Sequence, residues 1–500
     1  MSIERLIECI GLTPGELKQY LLSELDEFLA AKSAEDREEE FGDLLFAMMA
    51  MAWAHAGEHY ALTPEAFEPK VRGRLRSYAA LSRHAVQFHH DLIPELKFGV
   101  LHFAFGHFTG QWHEFDALKN GTTAEIHLLT KAPFQKPDMQ TNHCIITFDA
   151  IESIEFEILE SAPEMEGGNC VLCRIPDFLY KEAKRTHNFH EFHDYLALQV
   201  MAALDHIKVV QGAIAHFHSW ECGFLTESVE FREYLKPLKT IFSPYLTVGR
   251  LKSLVKRTGG ENWTMTREEL QTGAAYEKTL CEFASEIVLE SESDKRFYQQ
   301  WASPAKFRMY TFALQPAAIY DSDPVDERNL VFITGGRPVR EKGFAELCRE
   351  FSAVRDWADD LGISVRLMIL CKERSSAKGA AYIAEIERII SECGLNDIVA
   401  VEQKVSLDVL KRRIAQSSAV IVPSLYDPFC LLPTYAVEVG RPAFISCHAG
   451  VAENVVQPLF VFSPDKKGSL LAALIRWYES RPVFEYASLY PTYRNIYLNQ

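Results

Sequence analysis

The sequence has no apolar run long enough to cross a bilayer. Its most apolar stretch, "LLFAMMAMAWA" at 44–54, is about half of the roughly 20 residues a spanning helix needs, so it reads as a buried helix. No stable membrane insertion is expected. The opening "MSIERLIECIGL" carries acids and lacks an apolar signal core, which points to a cytoplasmic protein. Positive charge is scarce: 52 Lys and Arg stand against 69 Asp and Glu, a formal net charge of −17. That balance argues against nucleic acid and anionic lipid as main partners, and leaves anionic small molecules open where basic residues cluster. Paired cysteines are missing as well. The 11 cysteines are odd in number and scattered, which suits a reducing compartment better than a disulfide framework. Cys170 and Cys173 in "NCVLC" have no second pair at zinc-ribbon spacing and read as buried thiols. No internal repeat and no low-complexity tract is present, and nothing calls for a redox cofactor.

What is present divides into three parts. Residues 1–90 read as nearly continuous helix, with Leu17, Leu21, Leu22, Leu25, Phe28 and Leu29 at helical spacing and Leu44, Leu45, Met48 and Met49 repeating it. Ser33 with Asp36 resembles a capping box, and Thr63 with Pro64 fits the start of a later helix. From residue 96 the pattern changes to "KFGVLHFAF", the glycines Gly106 and Gly110, a helix-like segment and the strand "AEIHLLT". "AIAHFHSW" (213–220) and "EIVLES" (286–291) read as further strands. From near Asp326 a βαβα alternation with almost wholly apolar strands begins: "NLVFITGG", "VRLMILC", "DIVAVEQ" and "AVIVPS", with helices between them. Such strands are buried on both faces of a doubly wound parallel sheet. The expected architecture is multidomain: an all-α domain at 1–90, then two Rossmann-like α/β domains at 96–322 and 323–485. A tail at 486–500 is expected to pack back on the first of these two.

Two constellations carry chemistry. In "SELDEFLAAKSAEDREEEFGDLL", Glu24 and Glu27 share a helix face, as do Glu40 and Asp43. The residues between the pairs allow one helix to end and the next to return antiparallel, so the four carboxylates can converge on Mg²⁺ or Mn²⁺. A solvated acidic face fits the spacing equally well. The apolar run directly after Asp43 and the basic group Lys70, Arg72, Arg74 and Arg76 favour the metal and a polyphosphate.

In the third part, "ITGGRPVREKGF" places Arg337 and Lys342 beside glycines at the carboxyl end of a strand, where a helix begins near Gly343. "VPSLYDPFCLLPTYAVEVGRP" then places Asp427 after another strand, ahead of a turn and a helix. The backbone N–H groups of Phe429, Cys430, Leu431 and Leu432 there suit a diphosphate. His218, at the end of the strand "AHFHSW", fits a core hydrogen bond.

Both constellations resemble known families. E-x-x-E, a gap of twelve and E-x-x-D, with "EFGDLLFAM" and "KVRGRLRSY", resemble the MazG-type all-α nucleoside triphosphate pyrophosphohydrolases over about 85 residues. The resemblance implies Mg²⁺-dependent release of pyrophosphate from a nucleoside triphosphate. Metal would be held by Glu24, Glu27, Glu40 and Asp43, phosphates by Lys70, Arg72 and Arg74, and a homodimer would form through the helices. "GRPVREKG", "PSLYDPFCLLPTYAVEVGRP" and "HAGVAEN" resemble the retaining glycosyltransferases of the GT-B fold, in the broad family-4 style, over roughly 96–485.

This second resemblance implies sugar transfer from a nucleotide-diphosphate donor with retention. Arg337, Lys342, Asp427 and His218 would be catalytic. Gly110, Gly336, Phe429, Cys430, Leu431, Leu432, Tyr435 and Glu438 would hold the donor. Asp427 stands where the family has a glutamate, Cys430 where it has glycine, and Tyr435 where its second glutamate holds the ribose. Together the two imply a bifunctional enzyme acting on a small molecule, with a nucleoside or nucleotide as a candidate acceptor. Two other readings stay open: a transferase whose helical domain only dimerises or regulates, and a nucleotide-sugar binder without catalysis.

Overall fold

The computed structural model describes residues 86–105, 142–151, 153–159, 169–186, 189–311, 325–371, 377–487, 489–491 and 496–497. The acidic quartet, Lys70, Arg72, Arg74 and Gly110 lie outside the described residues. The chain forms two compact units. One contains residues 86–105 and 142–215 with Cys222–Lys239; the other contains His216–Glu221 and the described chain from Thr240 onward.

In the first unit the strands are β1 (Val86–Phe88), β2 (Lys97–Phe103), β3 (Asn142–Asp149), β4 (Ile154–Ile158) and β5 (Cys170–Pro176). They are followed by α1 (Phe178–Thr186), α2 (Phe189–Leu204), β6 (Lys208–His218, which runs into the second unit) and α3 (Val229–Leu235). β1 pairs with β4, β3 with β5 and β2 with β3 in parallel, while β4 runs antiparallel to β5. Residues 86–88, read from sequence as the end of the helical part, are therefore a strand. Phe88 stacks on Phe156 at 5.1 Å, and cross-strand packing outweighs the local helical pattern. β4 and β5 escape a hydropathy reading for a related reason. β4 alternates, its Glu155 and Glu157 meeting Arg174 of β5 at 3.2 and 2.9 Å, so half of it is polar. Cys170 and Cys173 are free buried thiols on β5, and burial pushes the Cys170 thiol up to about 12. Buried His102 and His143 face each other at 2.9 Å, and burial lowers His143 to about 3.

In the second unit β7 (Lys239–Ser243), α4 (Val248–Thr258), α5 (Arg267–Phe283), β8 (Glu286–Leu289), α6 (Glu292–Tyr298) and β9 (Phe307–Met309) come first, with β7, β8 and β9 parallel. A six-stranded parallel sheet follows, built from β10 (Asn329–Gly336), β11 (Ser364–Cys371), β12 (Val399–Gln403), β13 (Ala419–Val422), β14 (Ala443–Ser446) and β15 (Val461–Phe462). Its order is β12-β11-β10-β13-β14-β15, with helices α7 (Phe344–Leu361), α8 (Ala377–Glu392), α9 (Leu407–Ala415), α10 (Leu432–Glu438) and α11 (Ser469–Ser480) between strands. β13 and β14 are buried at every position, as strands covered on both faces must be. Phe332, Phe351, Phe444 and Trp477 meet edge to face in the core of this sheet.

The end of the chain is tied into the second unit. Tyr486 bridges Val455, the Thr311 N–H donates to the Pro491 carbonyl, and buried Tyr497 shares a 2.9 Å hydrogen bond with His216. The other ring nitrogen of His216 meets the Ser243 hydroxyl at 2.8 Å, and burial lowers this histidine to about 3.

Candidate active site

The site forms where β10 and β13 end side by side. After Gly336 the chain exposes Arg337, turns through a short 3-10 segment, Arg340–Lys342, and enters α7 through Gly343. Gly343 has φ +69, and a Cβ there would stand 2.1 Å from the Pro423 carbonyl oxygen. Only glycine lets the turn after β10 lie against the segment after β13. The Glu341 carbonyl accepts the Leu425 N–H at 2.8 Å, and Glu341 itself is buried, holding the Thr264 N–H at 3.2 Å.

That approach delivers Lys342 to Asp427. The ammonium is 2.5 Å from the Asp427 carboxylate, with side-chain exposures of 18% and 9%. Burial alone would lower the Lys342 pKa, but the Asp427 charge and hydrogen bond outweigh it, so the net shift is upward. Arg337 is close enough to oppose it, and makes no ion pair among the described residues. Among the described residues Asp427 thus pairs with Lys342 alone, and Arg337 adds a second cation nearby.

Asp427 is fixed from the other side by the loop after β14. Asp427 forms a bridge with Ala449, and its carbonyl accepts the Gly450 N–H at 2.9 Å. A Cβ on Gly450 would lie 1.8 Å from the Pro428 carbonyl oxygen, so this loop also requires glycine to close. Cys430 keeps the backbone of a glycine, φ +75, in a residue with a side chain. Its thiol is pushed up to about 12, by burial first and then by Asp427, and the Leu432 N–H is directed at the sulfur rather than outward. Phe429 and Leu432 are buried.

The remaining sequence-chosen residues scatter in role. Gly336 lies beside the Lys342 side chain, where a Cβ would be 3.8 Å from Cε. Tyr435 is half-buried with the Lys411 ammonium 4.9 Å from its ring centroid. Glu438 is buried and committed to Lys411 at 2.7 Å. His218 is fully buried, its Nδ1 hydrogen-bonded to the Tyr245 hydroxyl, and it stacks on His216 at 4.1 Å.

Several residues around the site were not chosen from sequence. Tyr426 accepts the Thr247 N–H at 2.9 Å and lies under the Arg250 guanidinium, which pairs with Asp294 at 2.6 Å. Glu277 is fully buried and accepts the Val248 and Gly249 N–H groups at the start of α4, with Tyr298 donating at 2.6 Å. Burial raises Glu277 to about 8. Glu453, in "HAGVAEN", accepts the Glu292 and Ser293 N–H groups at the start of α6. The starts of α4 and α6 are therefore both occupied by acidic side chains of the protein itself.

No protein-family model matches the chain, and no curated protein matches it. Solved structures do. The sucrose-phosphate synthase of Thermosynechococcus elongatus aligns at 16% identity over 77% of this chain and 90% of that one, TM-score 0.54. An α,α-trehalose-phosphate synthase (UDP-forming) from Burkholderia xenovorans, in complex with glucose-6-phosphate, aligns at 10% identity over 77% and 93%, TM-score 0.57. The E. coli trehalose-6-phosphate protein bound with UDP-2-fluoro glucose aligns at 12% identity over 77% and 92%, TM-score 0.54. Such low identities define the fold: two parallel-sheet α/β regions of the GT-B kind.

Proposed function

We propose that the chain is a glycosyltransferase moving a sugar, with retention, from a nucleotide-diphosphate donor to a small-molecule acceptor. The observation that carries this is the Lys342–Asp427 pair with Arg337 beside it, at the carboxyl ends of two neighbouring parallel strands. Arg337 and Lys342 neutralise the charge that grows on the departing diphosphate as the glycosidic bond breaks. Asp427, a carboxylate with hydrogen-bond capacity beyond Lys342, accepts donor-sugar hydroxyls. No protein nucleophile is assigned. UDP-glucose is the first donor to try, because one structural neighbour is bound with a fluorinated form of it. A sugar phosphate stands beside nucleosides and nucleotides as an acceptor class, since another neighbour holds glucose-6-phosphate.

The test is incubation with a panel of nucleotide sugars, with and without those acceptors, read as nucleoside diphosphate release by mass spectrometry. Release that needs both Lys342 and Asp427 supports the reading. Binding of a nucleotide sugar with no release under any condition replaces it with a donor-binding protein.

For residues 1–90 we propose a second activity, Mg²⁺-dependent cleavage of a nucleoside triphosphate to monophosphate and pyrophosphate. Its support is the spacing of Glu24, Glu27, Glu40 and Asp43 and the basic group Lys70, Arg72 and Arg74. The bound ion would polarise the phosphate. The double substitution Glu40→Gln with Asp43→Asn is expected to abolish pyrophosphate release while sugar transfer continues. A wild-type protein that releases none makes the segment a dimerisation or regulatory module.

A further inference from the structure

The loop after β14 carries a second cluster of reactive groups, outside the donor site but bonded to it. Cys447 is exposed, whereas Cys393 and Cys430 are half-buried and the other described cysteines are buried. Its Sγ lies 4.0 Å from His448 Nδ1, and His448 Nε2 lies 2.6 Å from the Asp465 carboxylate. One imidazole thus stands between a thiol and a carboxylate and gives one nitrogen to each. That is the order nucleophile, base, orienting group. A metal would need these groups to converge on one point, and the two ring nitrogens face opposite partners.

The same loop grips Asp427. The His448 carbonyl accepts the Asp427 N–H at 3.4 Å, Ala449 forms the bridge, and Gly450 donates back to the Asp427 carbonyl. On the far side the Cys447 N–H is held by the Phe462 carbonyl at 2.8 Å and the His448 N–H by the Ser446 hydroxyl at 3.1 Å. Cys447 is thus one residue from a backbone hydrogen bond to Asp427.

We propose that Cys447 is a thiol–disulfide exchange site for a low-molecular-weight disulfide of the glutathione type, and that the adduct is felt at the Asp427 turn. His448 takes the Cys447 proton. The thiolate attacks one sulfur of the disulfide, a new S–S bond forms as the old one breaks, and the departing thiolate recovers the proton from His448. A dithiol reverses the step. The hydrogen bond from His448 also lowers the Cys447 pKa despite opposing burial, which enlarges the attacking fraction near neutral pH. A tripeptide on this sulfur displaces His448 from Asp465, and the shift passes through the His448 carbonyl to the Asp427 N–H.

The experiment treats the full chain with glutathione disulfide and follows each cysteine peptide by mass spectrometry. Cys447 is expected to gain one glutathionyl group about tenfold faster than half-buried Cys393, reversibly with dithiothreitol. His448→Gln should move the pH profile of the modification up toward that of an ordinary thiol, and Asp465→Asn should move it less. Amide hydrogen exchange across 425–431 should quicken in the adduct, and stay unchanged when Cys447→Ser is treated the same way. Equal rates for Cys447 and Cys393, or an unmoved profile in His448→Gln, overturn the site. An adduct that leaves exchange across 425–431 unaltered overturns the link to Asp427. None of these readouts requires sugar transfer, so failure here and failure of the glycosyltransferase reading are separate results.

Discussion

Two buried lysine–carboxylate pairs flank the segment from Asp427 to Glu438, and they differ in what surrounds them. Lys342 and Asp427 are 2.5 Å apart, Lys411 and Glu438 2.7 Å. The second pair is the more enclosed, with side-chain exposures of 11% and 5%, and the Tyr435 ring covers the ammonium. Its two charges offset each other. The first pair keeps an exposed extra cation, Arg337, and a residue in left-handed backbone, Cys430, at its edge. We read the first as a pair that an anionic ligand reorganises and the second as a clamp between α9 and α10. On this reading the same pair of groups serves chemistry in one place and architecture in the other, and the neighbouring charge distinguishes them.

The largest test of that contrast neutralises each pair in turn. Lys342→Met with Asp427→Asn is expected to cut nucleoside diphosphate release by about 10²–10³-fold, the usual loss when charge stabilisation of a transition state is removed. Lys411→Met with Glu438→Gln should leave release within about twofold; a comparable loss there would erase the distinction. Next, breaking only half of the clamp strands a charge. Lys411→Met alone should cost about 3 kcal/mol in denaturant unfolding, with most of it regained when Glu438→Gln is added.

Acid separates the pairs from the histidine cores. His143 and His216 are lowered to about 3 in the folded chain, against an ordinary value of 6.5. Below pH 6.5 the unfolded chain takes up protons that the folded one refuses, so stability is full above that value and falls as pH drops toward 3. The slope is about 1.4 kcal/mol per pH unit for each histidine. Lys342 is raised instead, so its contribution persists through neutral pH and is lost only beyond the ordinary lysine range. Replacing His216 with Gln should flatten the acid limb of a thermal-midpoint profile. An unchanged limb would remove His216 from the account. The smallest effect belongs to Cys430→Gly. It relieves a residue at φ +75 and should stabilise the fold by about 1 kcal/mol, measured by denaturant midpoint.

The six-stranded sheet was legible because β10, β11 and β13 are apolar runs ending in glycine or polar loops. β10 and β13 also announce Arg337, Lys342 and Asp427 at the strand ends where ligands gather in such sheets. The ion pair itself was not legible. Lys342 and Asp427 are 85 positions apart, and the close approach of Gly343 to Pro423 together with the Leu425–Glu341 hydrogen bond brings them together. Glu277 and Asp465 read as ordinary acids in sequence, and their partners come from other elements. His218 was left between two roles because local sequence says nothing of Tyr245, 27 positions away. Glu438 has the right charge for a donor contact, but the lysine that takes it comes from the preceding helix.

His216 also has a history in time. Its hydroxyl partner Tyr497 lies 281 positions later in the chain. At ordinary rates of synthesis of about 5–20 residues per second, that is a wait of roughly 15–55 s. For all of it, a strand whose last residues are buried in the finished fold holds a polar ring whose second hydrogen bond has not yet been made. Until the far segment emerges, the Ser243 hydroxyl is the nearer-in-sequence partner of this ring. The hydrogen bond between the Tyr497 hydroxyl and His216 is thus among the last contacts of this core to close.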